Sequence, residues 1–511
     1  MNEWLERHAA PLTAGAFLLA LLPLAATLTD PGITWDEPFY FGSAQRQVEW
    51  AESLFRNGPA AALDADTVFA AWDWEHYRNP HPPVYKTAMA LTWAATRGLV
   101  GSVAGFRLAP ALLFAALVAT AFRWGAAAWS GVGGAGAALS ILLMPRLFGH
   151  AHFGATETPL ISFWFAATAA GWWAVERSRT AGWALAGIGW GLAAGTKFTG
   201  VIALVPLLLW GLWRSPRRTA RGVPIAALAA LATFWALNPM LWVDPARFLQ
   251  PWLWESLHRG EYAPISTYYM GRAHAFSVPW HHVFVMTAAV TPLGILVLAG
   301  AGAIRGVRRR DPTVVLALGT VILVWGLMLL PRAPHHDGIR QFIVLFPFLG
   351  MVGGYGLHEL WRATPDLRRK AATAAVVFVG AAAQVAWAHP YYLAYYGEAV
   401  GSVRGAHALG FETTYWMDAY AGPLLDWMNR EIPPGSSVFV FGEPLPLEWQ
   451  QAEGRLRPDI RFTSGVSSEY MLVQMRQGMM SEPLLRAVER TEPEYAVELQ
   501  GVPLAAIYRV D

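Results

Sequence analysis

Two carboxylates stand side by side in Thr34-Trp35-Asp36-Glu37-Pro38, directly after an apolar stretch. A carboxylate so placed can take the proton of an attacking hydroxyl. The same residues also suit a helix start, where acids favour the amino terminus and proline the first turn. Further along come His81-Pro82-Pro83-Val84-Tyr85-Lys86, Arg107 in Gly105-Phe-Arg-Leu, and Glu157 in Thr156-Glu-Thr-Pro-Leu160. Lys197 lies in Gly195-Thr-Lys-Phe-Thr-Gly200 and Arg340 in Asp337-Gly-Ile-Arg340. The cations Lys86, Arg107, Lys197 and Arg340 can hold an anion whose charge grows during a reaction. Each also suits simple snorkelling to a membrane interface. Lys197 fits that reading least, since its turn falls on the side where positive charge is disfavoured.

Histidines supply a second set: His258, His274, His281, His282, His335 and His336, with Asp337 beside the last. Sequence neighbours usually point apart, so neither His281-His282 nor His335-His336 is a chelate by itself. Imidazole and carboxylate joined across loops suit zinc or another divalent ion, whereas hydrogen bonds to sugar hydroxyls or interfacial packing use the same residues without a metal. With no cysteine, thiolate chemistry, disulfides and Cys-ligated metals are excluded.

The elements that must position these residues follow from composition. The chain has 511 residues, 55% of them hydrophobic and only 14% charged, well below the charged share of a soluble domain. Its net charge of +2 and the lack of basic runs interleaved with aromatics argue against a nucleic-acid partner. A span needs about 20 apolar residues. That criterion predicts membrane helices near 11–29, 105–124, 131–149, 157–175, 181–196, 199–213, 222–241, 283–304, 313–331, 340–361 and 371–388, about eleven in all. Residues 84–100 are apolar over too short a run and read as an interfacial helix.

With that segment left out of the count, Arg123, Arg177 with Arg179, Arg214 to Arg221, Arg305 to Arg310 and Arg362 to Lys370 share one side. The positive-inside rule makes that side cytoplasmic. Were 84–100 a span, all these clusters would have to be translocated. Loops 30–83 and 242–282 and everything after His389 then face outward, and every chemical candidate above lies at that face. The expected organisation is a membrane domain over 1–388 and a small outer α/β domain over 389–511. The latter has β-type runs at Ser437–Phe441, Ile460–Thr463, Tyr470–Gln474 and Tyr495–Val510, and helical patterns at 421–431 and 481–490. The runs Tyr391–Tyr396 and Gly410–Trp416 are expected to touch the membrane cavity.

The order of these motifs resembles protein O-mannosyltransferases and the bacterial enzymes that transfer aminoarabinose to lipid A, both GT-C glycosyltransferases. The shared features are an acidic pair after the first helix, His-Pro-Pro-x-x-Lys before an amphipathic helix, an arginine opening the next span, and an acid in Thr-x-x-Pro-Leu. The resemblance implies a catalytic base in the first outer loop, which falls on Asp36 with Glu37 beside it. It departs from the family at Glu157, where aspartate is usual. A polyprenyl-phosphate-linked sugar fits as donor on physical grounds: its phosphate is an anion at the membrane surface, and Lys86, Arg107, Lys197 and Arg340 are the candidates to hold it. His81, Tyr85, His336 and Asp337 are then the candidates for contacts with the sugar. Direct inverting displacement requires no cofactor, and a divalent metal stays an open alternative. The expected setting is a bacterial inner membrane, with a periplasmic acceptor whose nature the sequence does not define. Rival readings are a lipid or sugar transporter or flippase, and a non-catalytic envelope assembly protein. Against the first, the spans carry few charges and show no inverted repeat.

Overall fold

The computed structural model describes residues 3–73, 81–258, 265–275, 278–331, 333–463 and 468–510. Residues 74–80, 259–264 and 276–277, which belong to the two predicted outer loops, lie outside these.

A helix forms at each of the eleven predicted places, but they are unequal. Among the described residues, four are long and apolar enough to cross a membrane by length and composition: His8–Ala26 within Glu3–Ala26, Ser102–Ala128, Pro216–Ala236 and Leu367–Ala388. Ser102–Ala128 is largely enclosed by the bundle, whereas the other three turn apolar side chains outward. Leu22 is 63%, Leu228 71% and Val376 76% exposed, as suits helices whose outer face meets lipid rather than water.

The predicted single span 283–304 is corrected to two helices, His282–Ala289 and Leu293–Arg309, bent by 120°. Pro292 stands at the break: it has no N–H to continue the ladder, and its ring collides with the preceding turn. Likewise 131–149 divides into Gly131–Leu142 and Pro145–His150, and the helix expected from 340 starts only at Leu345. Arg340 is thereby left in a turn instead of being built into a rod.

At the middle of the bundle Leu345–Ala363 packs on Gly131–Leu142 and on Leu293–Arg309. Glycine permits this approach. A Cβ at Gly302 would lie 2.1 Å from the Val352 carbonyl oxygen, and one at Gly356 2.0 Å from that of Leu298, so the helix backbones meet directly.

Helix Val84–Val100 buries Tyr85, Lys86 and Met89 on one face and leaves Leu91 and Leu99 exposed on the other. It folds back on Ser102–Ala128 through Gly101, whose φ of +86° is open to glycine at no steric cost. Trp93 Nε1 donates to Ser102 Oγ at 2.7 Å across that corner.

Beyond the membrane helices a short hairpin, β1 (Thr267–Tyr269) and β2 (Arg272–His274), precedes a five-stranded sheet. Its strands are β3 (Ser437–Phe441), β4 (Arg461–Thr463), β5 (Tyr470–Gln474), β6 (Tyr495–Leu499) and β7 (Val502–Arg509). The order is β4-β3-β5-β7-β6, with β3 parallel to both neighbours and β7 antiparallel to β5 and β6. The run Tyr495–Val510 is broken into a hairpin because Gln500 and Gly501 both take positive φ, +58° and +74°, the twist that tight hairpins favour. Helices Gly422–Glu431 and Glu482–Arg490 flank the sheet.

Candidate active site

Asp36 occupies the N-cap position of helix Glu37–Asn57, yet its carboxylate accepts nothing from the first turn. Its Oδ2 accepts instead from Arg340 Nη2 at 2.9 Å and from Trp416 Nε1 at 3.1 Å. The cap reading therefore fails for this side chain, which remains 28% exposed. Glu37, the first helical residue, instead ties down the preceding loop: its Oε2 accepts from Thr34 N at 2.8 Å.

Arg340 is the hub. Its Nε donates to Glu157 Oε1 at 3.1 Å and its Nη1 to Asp337 Oδ2 at 2.8 Å, while the guanidinium lies 3.8 Å from the Trp416 ring centroid. Lys197 Nζ is 3.5 Å from Glu157 Oε1 and donates to Gln341 Oε1 at 3.5 Å; Gln341 in turn meets His336 Nε2 at 3.1 Å. Glu157 opens helix Glu157–Glu176 and is buried, and its second oxygen has no hydrogen-bond partner. Five predicted residues, Asp36, Glu157, Lys197, Asp337 and Arg340, thus converge from segments scattered along the chain. Asp36, the most exposed of the three acids, is the one best placed to meet a substrate.

Burial pushes the Asp337 carboxyl up, but Arg476 and Arg340 beside it outweigh this and hold it below the ordinary range. Tyr85 packs edge-on against Tyr40 at 5.1 Å. Burial first, then Tyr40, Asp36 and Glu157, raises its hydroxyl well above the usual value, so it stays protonated and able to donate.

Two assignments need correction. Arg107 and Glu37 are completely buried and satisfied by each other and by backbone. Arg107 Nε donates to Glu37 Oε1 at 2.8 Å and Nη2 to Oε2 at 2.7 Å. The remaining N–H groups go to the carbonyls of Leu28, Pro31 and Gly32. Glu37 Oε1 also accepts from Gly154 N at 2.8 Å. With every donor of Arg107 engaged, it has none left for a phosphate, and Glu37 is shielded from any acceptor; the pair fixes the loop that carries Asp36.

Lys86 stands apart from the Arg340 group, donating to the His81 carbonyl at 2.8 Å. Burial lowers its pKa to about 8, against a smaller opposing effect of Asp73. His81 thus contributes a backbone oxygen here. Among the described residues no group of three or more His, Asp or Glu could hold a metal ion. His281 meets the Tyr269 hydroxyl at 2.9 Å, and His335 meets the Met328 carbonyl at 3.0 Å and packs edge-on against His282.

Sequence reasoning anticipated contact from the run ending at Trp416 but missed Arg476, whose Nη2 reaches Asp337 Oδ1 at 2.5 Å. The available signal was a lone arginine two residues after the apolar strand β5. It also missed two buried carboxyls, Glu412 and Asp418, both pushed up to about 7 by burial. A cavity of about 620 Å³ lined by Phe411, Met475, Gln477, Leu485 and Tyr508 lies elsewhere. None of the charged cluster lines it, so the chemistry is assigned to the charges and not to this cavity.

The family model described as dolichyl-phosphate-mannose-protein mannosyltransferase matches residues 80–242. No curated protein matches the chain. Among solved structures, ArnT from Cupriavidus metallidurans in the apo state is 14% identical, covers 98% of each chain, and has a TM-score of 0.52. The same protein bound to undecaprenyl phosphate is 13% identical over 98% of this chain and 97% of that one, with a TM-score of 0.50. The motif resemblance thus extends to the fold, which is that of a multi-pass membrane protein. By sequence over 80–242 and by fold over nearly its whole length, the chain is similar to GT-C glycosyltransferases.

Proposed function

We propose that the protein transfers a sugar from a polyprenyl phosphate carrier to a nucleophile on an acceptor at the outer face of a bacterial inner membrane. Asp36 takes the acceptor's proton as the new bond forms at the anomeric carbon. The bond from that carbon to the phosphate oxygen breaks from the opposite side, inverting the centre. The departing lipid phosphate carries the electron pair, and Arg340, assisted by Lys197, holds its charge.

The observation that carries this reading is the contact between Asp36 and Arg340 under the Trp416 ring. A base and an anion holder adjoin, and no helix cap explains the carboxylate. Without donor the two neutralise each other. A phosphate arriving at Arg340 competes for the same N–H groups and releases Asp36 to act as base, so the binding of one substrate readies the group that serves the other. Undecaprenyl phosphate bound to ArnT supports the choice of carrier. The contact of the Asp36 segment with the Arg340 turn supports one common face for both, and the positive-inside rule favours placing that face outward with the basic clusters cytoplasmic.

The test compares glycolipids and glycoproteins, by mass spectrometry, from the wild type, a deletion strain and a strain expressing Asp36→Asn. The expected result is one glycosylated product that disappears in both altered strains. If every product survives the deletion, the reading is wrong.

A further inference from the structure

Asp337 is one of three acids on Arg340, and its backbone φ is positive, +61°, followed by Gly338 at +63°. Residues other than glycine enter that region infrequently, aspartate more readily than most, and neighbouring contacts then hold them there. Two arginines do so. Arg340, three residues on in the same turn, binds Asp337 Oδ2 at 2.8 Å. Arg476, from the segment after β5, binds Oδ1 at 2.5 Å. A Cβ on Gly338 would meet Tyr415 Cε1 at 2.5 Å and Arg146 Nη1 at 2.9 Å, so the turn is clamped between the bundle and the C-terminal segment.

Arg476 is itself fixed. It is 5% exposed, and its Nε lies 4.0 Å from Glu412 Oε1, which accepts from Gly478 N at 3.0 Å. One residue earlier, Met475 N donates to Leu504 O at 2.9 Å, tying the segment to β7.

We propose that Arg476 is a positioning residue for the transfer site. By holding Asp337 it sets the direction of the Arg340 guanidinium, so the C-terminal domain is a working wall of the site. The inference rests on the reading of Arg340 as the group that holds the donor phosphate. Arg476 acts through Asp337 and reaches no substrate. Without it, the Asp337 carboxylate has one arginine instead of two, the positive-φ turn loses a restraint, and Arg340 is drawn further onto its own acids.

The test uses the full-length protein in nanodiscs, with radiolabelled undecaprenyl phosphate as the probe. Arg476→Gln is expected to weaken binding about tenfold, and Arg476→Lys, which keeps the charge, to recover most of it. In an Asp337→Asn background Arg476→Gln is expected to add less than about twofold, because the link is already broken. A structural role would instead add its full effect in both backgrounds. If Arg476→Gln binds like the wild type, or costs the same in both backgrounds, while Arg340→Gln abolishes binding, the inference is overturned and the donor-site reading stands. Unaltered binding by Arg340→Gln overturns that reading itself. Should Arg476→Gln fail to accumulate, Asp337→Asn alone decides, since wild-type affinity in that variant also overturns the inference.

Discussion

Asparagine in place of Asp36 keeps the size of the side chain and can still accept from Arg340 and Trp416, but it cannot take a proton. Transfer is therefore expected to fall about 10²–10⁴-fold, with binding of undecaprenyl phosphate and thermal stability close to wild type, as turnover assays and melting of the purified protein would show. Near-normal turnover would remove Asp36 from the base role. Glu37→Gln has the opposite signature. It leaves Arg107 buried without its counter-charge, which costs roughly 3–5 kcal/mol, so a large drop in melting temperature should appear before any specific kinetic defect. The sequence displayed both acids with equal prominence. What separates them is a partner 70 positions away, Arg107, which takes Glu37 and leaves Asp36. Residue type and spacing could not reveal that choice, because a basic residue opening a span looks the same whether it faces a ligand or a buried acid.

At the scale of elements, helix location was legible and helix continuity was not. Apolar length marks where chain can sit in lipid, so Ser102–Ala128 and Leu367–Ala388 follow from the sequence. Breaks depend on how a proline is accommodated. Pro110 lies inside Ser102–Ala128 without ending it, while Pro292 separates two helices at 120°. Strands β3 and β5 fall where alternating and β-branched residues placed them. The turn at Gln500-Gly501 was hidden because apolar runs flank it on both sides. Close contact between Leu293–Arg309 and Leu345–Ala363 supplies a prediction at this scale. Gly302→Val would drive a side chain into the Val352 carbonyl, 2.1 Å from the new Cβ. Backbones so close cannot give way cheaply, and a loss of about 1–3 kcal/mol or more is expected, read as an earlier melting midpoint in detergent. Gly300, with nothing within 4 Å of its Cβ position, is the control and should tolerate alanine.

Across the whole molecule, the seam between the bundle and the C-terminal sheet holds ionisable groups away from water. Glu412 and Asp418 have ordinary values of 4.5 and 3.8 but are raised to about 7 in the fold, burial being the main cause. A raised carboxyl binds its proton more tightly folded than unfolded. Its contribution to stability is complete below the unfolded value and disappears as pH climbs through about 7. The melting temperature should therefore fall between pH 5 and pH 8, and Glu412→Gln with Asp418→Asn should flatten that slope. An unchanged slope in the double variant would show that the two carboxyls do not govern it.

The tryptophan that meets Asp36 stands 380 positions after it in the chain. Translation supplies the carboxylate near the beginning and the indole that meets it near the end. A nascent polypeptide with every helix inserted still has an open, unassembled reaction centre. On the proposed reading, a copy cut short before Trp416 keeps Asp36 without this partner, so the site is finished only when the C-terminal segment has folded against the bundle.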